Sequence, residues 1–99
     1  MYAIVRESTY HPNALERGRD RLDEFQALHA AQPGYAGTVV VELSAGRWLT
    51  VNVWESEEDA RTALPAMAPA VERLLEPMMA RPSEMIGAGR VVLTDLIKR

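Results

Sequence analysis

The sequence contains no cysteine. That excludes disulfides, thiolate nucleophiles and the sulfur ligands of zinc and iron–sulfur centres. Only two histidines are present, and His11 and His29 lack the spacing of a metal site on one element. No metal is expected. Gly87-Ala88-Gly89 precedes no helix, so it is not a nucleotide loop. Aromatics are sparse: one Phe, two Trp and three Tyr. No run of about 18 apolar residues exists, which argues against a membrane span. Met1 to Glu7 lacks the basic region and apolar block of a signal peptide, so a cytoplasmic protein is expected. The net charge is −3 with acids and bases interspersed, a poor match to nucleic acid.

A hydrophobic share of 47% excludes disorder. At 99 residues, one domain over 1–99 is expected. A chain of that length buries only about two-thirds of its unfolded surface.

The segments alternate in period. Residues 2–8 read as a strand that His11-Pro12-Asn13 interrupts. Asn13 with Glu16 resembles a capping box. Leu15, Gly18, Leu22, Phe25 and Leu28 or His29 then form the stripe of one amphipathic helix, stopped by Gln32-Pro33-Gly34. Thr38–Leu43 and Arg47–Trp54 flank a short loop at Ser44-Ala45-Gly46 and predict a hairpin. Ser56 with Asp59 starts a second helix, whose stripe runs from Ala60 to Met78. Pro65, Pro69 and Pro77 interrupt it, and an interior proline costs about 3 kcal/mol. The expectation is a short helix to Leu64, a kink or break, a second piece to about Glu76 and a loop through Pro82. A last strand is expected from Met85 to about Ile97, bent near Gly87 and Gly89.

The order β-α-β-β-α-β implies an α+β, ferredoxin-like fold: a four-stranded antiparallel sheet with both helices on one face. Alternation sorts the strand residues into two sets. Ala3, Val5, Val39, Val41, Leu43, Leu49, Val51, Val53, Val91 and Leu93 share one face. Tyr2, Ile4, Arg6, Thr38, Val40, Glu42, Trp48, Thr50, Asn52, Trp54, Arg90, Val92 and Thr94 share the other. Both are rich in apolar residues, yet two helices cover only one. A second copy of the chain is the economical cover for the remaining face, so a homodimer is expected.

The β-α-β-β-α-β order, Gln32-Pro33-Gly34-Tyr35-Ala36-Gly37 and Val53-Trp54-Glu55-Ser56-Glu57-Glu58-Asp59-Ala60 together resemble the antibiotic biosynthesis monooxygenase family. The likeness covers nearly the whole chain and implies a dimeric α+β barrel. The family includes cofactor-independent oxygenases of phenols and quinols, haem-degrading enzymes and proteins without a known role. Trp54 matches the family's pocket Trp, which implies that Trp48, Thr50, Asn52 and Trp54 face the helices. Haem-degrading relatives use a His on the second helix and an Asn on the first strand. Neither is present here, so the resemblance speaks against haem degradation. Phenol-oxidising members pair the Trp with an Asn on the same strand. Asn52 lies two residues before Trp54, whereas the family pattern puts it nearer Thr50.

The implied activity is cofactor-independent monooxygenation of a small aromatic substrate in a pocket between sheet and helices. The alternative is a dimer of the same fold that only binds a small ligand or has a structural role. Candidate catalytic residues are Trp54 for stacking, Asn52 for hydrogen bonding and His29 as a base. Candidate pocket residues are Tyr2, Arg6, Phe25, Leu22, Leu64 and Met67, with Arg6 suited to a phenolate oxygen. Each has a plainer reading. Trp54 could be a core anchor, Asn52 a satisfied strand residue, and His29 a cap on the last carbonyls of its helix.

Overall fold

A computed structural model describes residues 1–97. Strand β1 is Tyr2–Tyr10, helices α1 and α2 are Pro12–Arg17 and Arg19–Ala30, and strands β2 and β3 are Tyr35–Ser44 and Arg47–Trp54. Helix α3 is Glu57–Ala70, and β4 is Met79–Arg90. The strands form one antiparallel sheet in the order β2-β3-β1-β4, the expected ferredoxin-like arrangement. No helix among the described residues is long and apolar enough to cross a membrane.

The first helical region is two helices rather than one. His11, not Asn13, occupies the N-cap, and Pro12 opens the helix. Proline's fixed φ and missing N–H suit the first helical position. The break falls at Gly18, with φ −100° and ψ 22°. A Cβ there would lie 2.2 Å from Met78 Sδ, so the glycine allows the helix junction to close onto the core.

The β2–β3 hairpin turns at Ala45-Gly46, where Gly46 has φ +80°. At the other end of β3, Ser56 Oγ accepts from the Asp59 N–H at 3.1 Å, the expected cap.

Helix α3 runs through Pro65 and Pro69 without the expected break. Both prolines lie on its exposed side, while Ala60, Ala63 and Met67 form an uninterrupted buried face. The packed face holds the helix together, and the lost hydrogen bonds fall where water can replace them. The irregularity comes later, as a π-helical turn over Val71–Leu75 and a 3-10 turn over Glu76–Met78. Pro65→Ala restores a donor to the helix and should raise stability by about 1–3 kcal/mol. A urea-unfolding midpoint at or below that of the parent protein would contradict this.

The last strand begins at Met79, six positions before the expected Met85, and ends at Arg90. It therefore contains Pro82, which was expected in a loop. Strand β4 is an edge strand, the position where a missing N–H is tolerated. Its pairing with β1 shifts register between Val5 and Arg6, between Glu7 and Thr9, and between Thr9 and Tyr10. The first shift adjoins Gly87. Residues 91–97 are not strand, and Val92, Leu93 and Leu96 are largely exposed.

The helices cover the face that carries Ile4, Ser8, Trp48, Asn52 and Trp54, as the resemblance implied. The core on that side is divided. Ile4, Trp54, Ala60 and Ala63 form one buried cluster, flanked by Tyr2 and Tyr35. Tyr10, Leu75 and Met78 form another, flanked by Leu22, Phe25, Trp48 and Val71. The opposite sheet face is uncovered over much of its length, with Val39, Val41 and Leu43 each more than 40% exposed, whereas Val53 at its end is 7% exposed and Ile97 lies close to Gly37, the partner of Val53.

Candidate functional site

The sheet residues between the two clusters are polar. On β3 they are Thr50 and Asn52, and on β1 they are Arg6 and Ser8. Register places Ile4 opposite Asn52 and Arg6 opposite Thr50, so Arg6 and Asn52 are diagonal neighbours on one face. Thr38 lies opposite Asn52 on β2. Ser8 is 7% exposed and donates to Ser83 Oγ at 3.2 Å. A polar belt thus crosses the middle of a face that is apolar at both ends. Its groups need partners, because burying an unpaired polar group is costly.

One end of the belt is a hydrogen-bond chain. Gln26 Nε2 donates to Tyr35 Oη at 2.9 Å. Tyr35 donates to Thr38 Oγ1 at 2.8 Å. Thr38 donates to Asn52 Oδ1 at 3.0 Å. Tyr35 and Thr38 are an odd number of residues apart, so a regular strand would point them to opposite faces. A bulge prevents this. Tyr35 pairs with Trp54 and Gly37 with Val53, so β2 gains one residue against β3. Bulges re-aim side chains in this way. Gly34, with φ +79°, sets the entry to β2, and a Cβ there would meet Asp59 Cγ at 2.2 Å.

Beside the chain sits an aromatic group. The His29 ring centroid lies 5.3 Å from Trp54, 5.1 Å from Tyr35 and 5.6 Å from Phe25. Tyr35 and Trp54 meet edge to face at 5.8 Å. His29 is buried, and its side chain does not cap the helix. Gln32 takes that role, donating from Nε2 to the Leu28 carbonyl at 3.2 Å. Burial lowers the His29 pKa below its ordinary 6.5, so the imidazole is neutral at pH 7.

The depressed value carries a stability consequence. Between the folded pKa and about 6.5, the unfolded chain binds a proton that the folded chain does not. Stability should therefore fall as the pH drops below about 6.5 and level off below the folded pKa. His29→Phe keeps a ring in place and should flatten that part of the profile. Urea-midpoint series from pH 7.5 to 5 on both proteins check it, and parallel profiles would contradict it.

Two open clefts are lined by other residues, and neither is lined by Trp54, His29 or Asn52. One, of about 450 Å³, is lined by Arg6, Val71, Glu76, Met79, Arg81, Pro82 and Ser83. It lies under the π-helical turn, a feature frequent at functional sites. Arg6 is half-buried, and its guanidinium makes no ion pair or hydrogen bond among the described residues. The other cleft, of about 400 Å³, is lined by Leu15, Leu22, Glu42 and Trp48 among others. Among the described residues no cluster of three or more His, Asp or Glu could hold a metal.

The structure therefore brings Trp54, His29, Phe25 and Tyr2 together, with Asn52 joined to them through Thr38 and Tyr35. Arg6 lines the first cleft and Leu22 the second. Met67 is buried in the core, whereas Leu64 is 44% exposed. That corrects Leu64 as a pocket residue: it falls on the outer side of α3, one position from the buried face. Trp54 is 3% exposed and packs against Ala60 and Ala63. Their small side chains admit the indole itself. Gln26, Tyr35 and Thr38 were not legible as site residues. Thr38 shares the predicted face with Asn52, a usable signal. Tyr35 reaches that face only through the bulge, which no residue pattern announces.

The profile of the antibiotic biosynthesis monooxygenase family matches residues 1–73. A comparison with curated protein sequences found no match. Among solved structures, the fold is similar to SnoaB from Streptomyces nogalater, a cofactor-independent oxygenase. The TM-score is 0.73 at 22% identity, covering 96% of each chain. It is also similar to a protein of unknown function from Nitrosomonas europaea, with TM-score 0.76 at 14% identity, covering 96% of this chain and 92% of that one. A conserved protein from Methanosarcina mazei gives TM-score 0.74 at 13% identity over 90% of both chains.

Proposed function

The chain belongs to the antibiotic biosynthesis monooxygenase family, and from that premise we propose that it is a cofactor-independent monooxygenase of a small phenol or quinol. The observation that carries this reading is the donor-bearing polar belt, with Arg6 uncommitted, between two apolar clusters. A phenolic ligand needs that combination: apolar walls for the ring and donors for its oxygen. The description of SnoaB as a cofactor-independent oxygenase supports the same chemistry.

Without an external reductant, the substrate must supply all the electrons. A substrate SH2 reacts with O2 to give SO and H2O, so one oxygen atom enters the product and the other leaves as water. The substrate reacts with dioxygen only once it is deprotonated and electron-rich. Neutral His29 is the candidate acceptor for that proton. Arg6 and Asn52 stabilise the resulting oxyanion, and preorganised donors of this kind supply much of the rate in such sites. Trp54 fixes the floor beneath them.

Oxygen uptake by the purified protein with a panel of quinols and hydroxylated aromatics tests the reading. The expected result is one O2 consumed per product, without added metal or cofactor and without accumulated peroxide. No uptake above the uncatalysed rate across the panel would overturn it. The close packing of Trp54 favours the competing reading, a ligand-binding protein without catalysis, and such a protein would bind the panel without consuming oxygen.

We also propose that the uncovered sheet face pairs with that of a second copy. Val5, Val39, Val41, Leu49 and Val51 share that face, and sheets stacked about 10 Å apart would remove them from water.

A further inference from the structure

The hydrogen-bond chain that ends on Asn52 has one direction. Gln26 offers its amide N–H to Tyr35, so the Tyr35 proton is free to point onward to Thr38. The Thr38 hydroxyl has a single proton. Having accepted from Tyr35, it gives that proton to Asn52 Oδ1. The acceptor end of the Asn52 carboxamide is thereby occupied. Both its N–H groups remain, and neither has a partner among the described residues. No buried side-chain nitrogen or oxygen among those residues lacks a partner, so the Asn52 Nδ2 is not wholly buried. Successive hydrogen bonds polarise one another, which makes the terminal N–H groups better donors. Arg6, the diagonal neighbour of Asn52, also presents only donors.

We propose that Tyr35 and Thr38 are positioning residues that hold Asn52 donor-first, so that the belt selects ligands carrying an oxyanion over their neutral counterparts. The inference deepens the oxygenase reading and takes the location of the site from it. It narrows the substrate to one held as a phenolate or enolate, the form left once His29 has taken its proton. A site that offered a carbonyl oxygen at Asn52 would instead favour the protonated phenol. The β2 bulge is part of the device, because without it Tyr35 could not reach Thr38.

The test compares 4-nitrophenolate with 4-nitroanisole, a neutral ligand of nearly the same shape, at a pH where the nitrophenol is ionised. Equilibrium dialysis gives both affinities for the parent protein, Thr38→Val and Thr38→Ser. The parent should prefer the phenolate by about tenfold or more, and Thr38→Val should reduce that preference by about fivefold to tenfold, the size expected for losing an oriented donor. Thr38→Ser keeps the hydroxyl and should restore it, while 4-nitroanisole should bind all three proteins alike. The Asn52 side-chain amide resonances should shift on adding the phenolate to the parent protein. A loss of packing would weaken both ligands together and would not be rescued by serine. No phenolate preference in the parent, or an undiminished one in Thr38→Val, overturns the proposal. A Thr38-dependent preference without any oxygen uptake would sink the oxygenase reading alone. Quinol oxidation with a selectivity indifferent to Thr38 would sink only the positioning role.

Discussion

Trp54→Ala should lower the stability of the fold by about 3–5 kcal/mol, the range for removing a large aromatic from a core. Domains of this size hold only about 5–15 kcal/mol in total, so the variant should unfold at much lower urea concentration. The reason lies in what the indole touches. Trp54 is 3% exposed and packs against Ile4, Ala60 and Ala63, with Tyr2 and Tyr35 at the margin. The alanines on α3 cannot collapse into the space, because their helix is held along its whole buried face. Trp54→Phe should recover more than half of the loss. Trp48→Ala should cost less, since Trp48 is only half-buried and its Nε1 donates to exposed Glu42 at 3.1 Å. Urea unfolding followed by far-ultraviolet circular dichroism measures all three. A loss under about 1 kcal/mol for Trp54→Ala would show that the indole is not the anchor of its cluster.

Val51→Glu should convert a dimer into a monomer. Val51 lies at the centre of the uncovered face, opposite Val5 on one side and Val39 on the other. A carboxylate there would face the apolar surface of the second copy, and burying an unpaired charge costs far more than one valine contact contributes. At micromolar concentration, sedimentation of the parent should give about twice 11.0 kDa, and the variant about 11.0 kDa. Circular dichroism should be unchanged, because Val51 is not part of the helix-side core. Val40→Glu is the control. Its side chain is 48% exposed and belongs to the other face, so the dimer should survive. A parent protein that sediments as a monomer would overturn the pairing of sheets.

The sequence was most informative where one face of an element meets one environment. Period-two alternation in β1, in β3 and in β2 beyond its bulge assigned residues to their faces, because a strand has only two. Ser56 with Asp59 marked the start of α3, since the cap is a local hydrogen bond between near neighbours. Ala45-Gly46 marked the hairpin for the same reason. The ferredoxin-like order followed from these elements and from the limited ways of connecting them.

Tertiary structure decided what depends on contacts between distant residues. The two prolines of α3 have a strong local preference to break a helix, and packing of Ala60, Ala63 and Met67 outweighed it. Pro82 entered a strand because β4 lies at the sheet edge, where its missing N–H is not needed. The helix break at Gly18 reflects the approach of Met78, far along the chain. The site divides in the same way. Asn52 and Trp54 could be placed on one face from spacing alone, and His29 on the stripe of its helix. That His29 turns inward among Phe25, Tyr35 and Trp54 required the fold. So did the line from Gln26 through Tyr35 and Thr38 to Asn52, because a single extra residue in β2 brings Tyr35 onto the helix-facing side. Local hydrogen bonding and alternation are written in adjacent residues; edge positions, bulges and close approaches depend on neighbours that only the folded chain supplies.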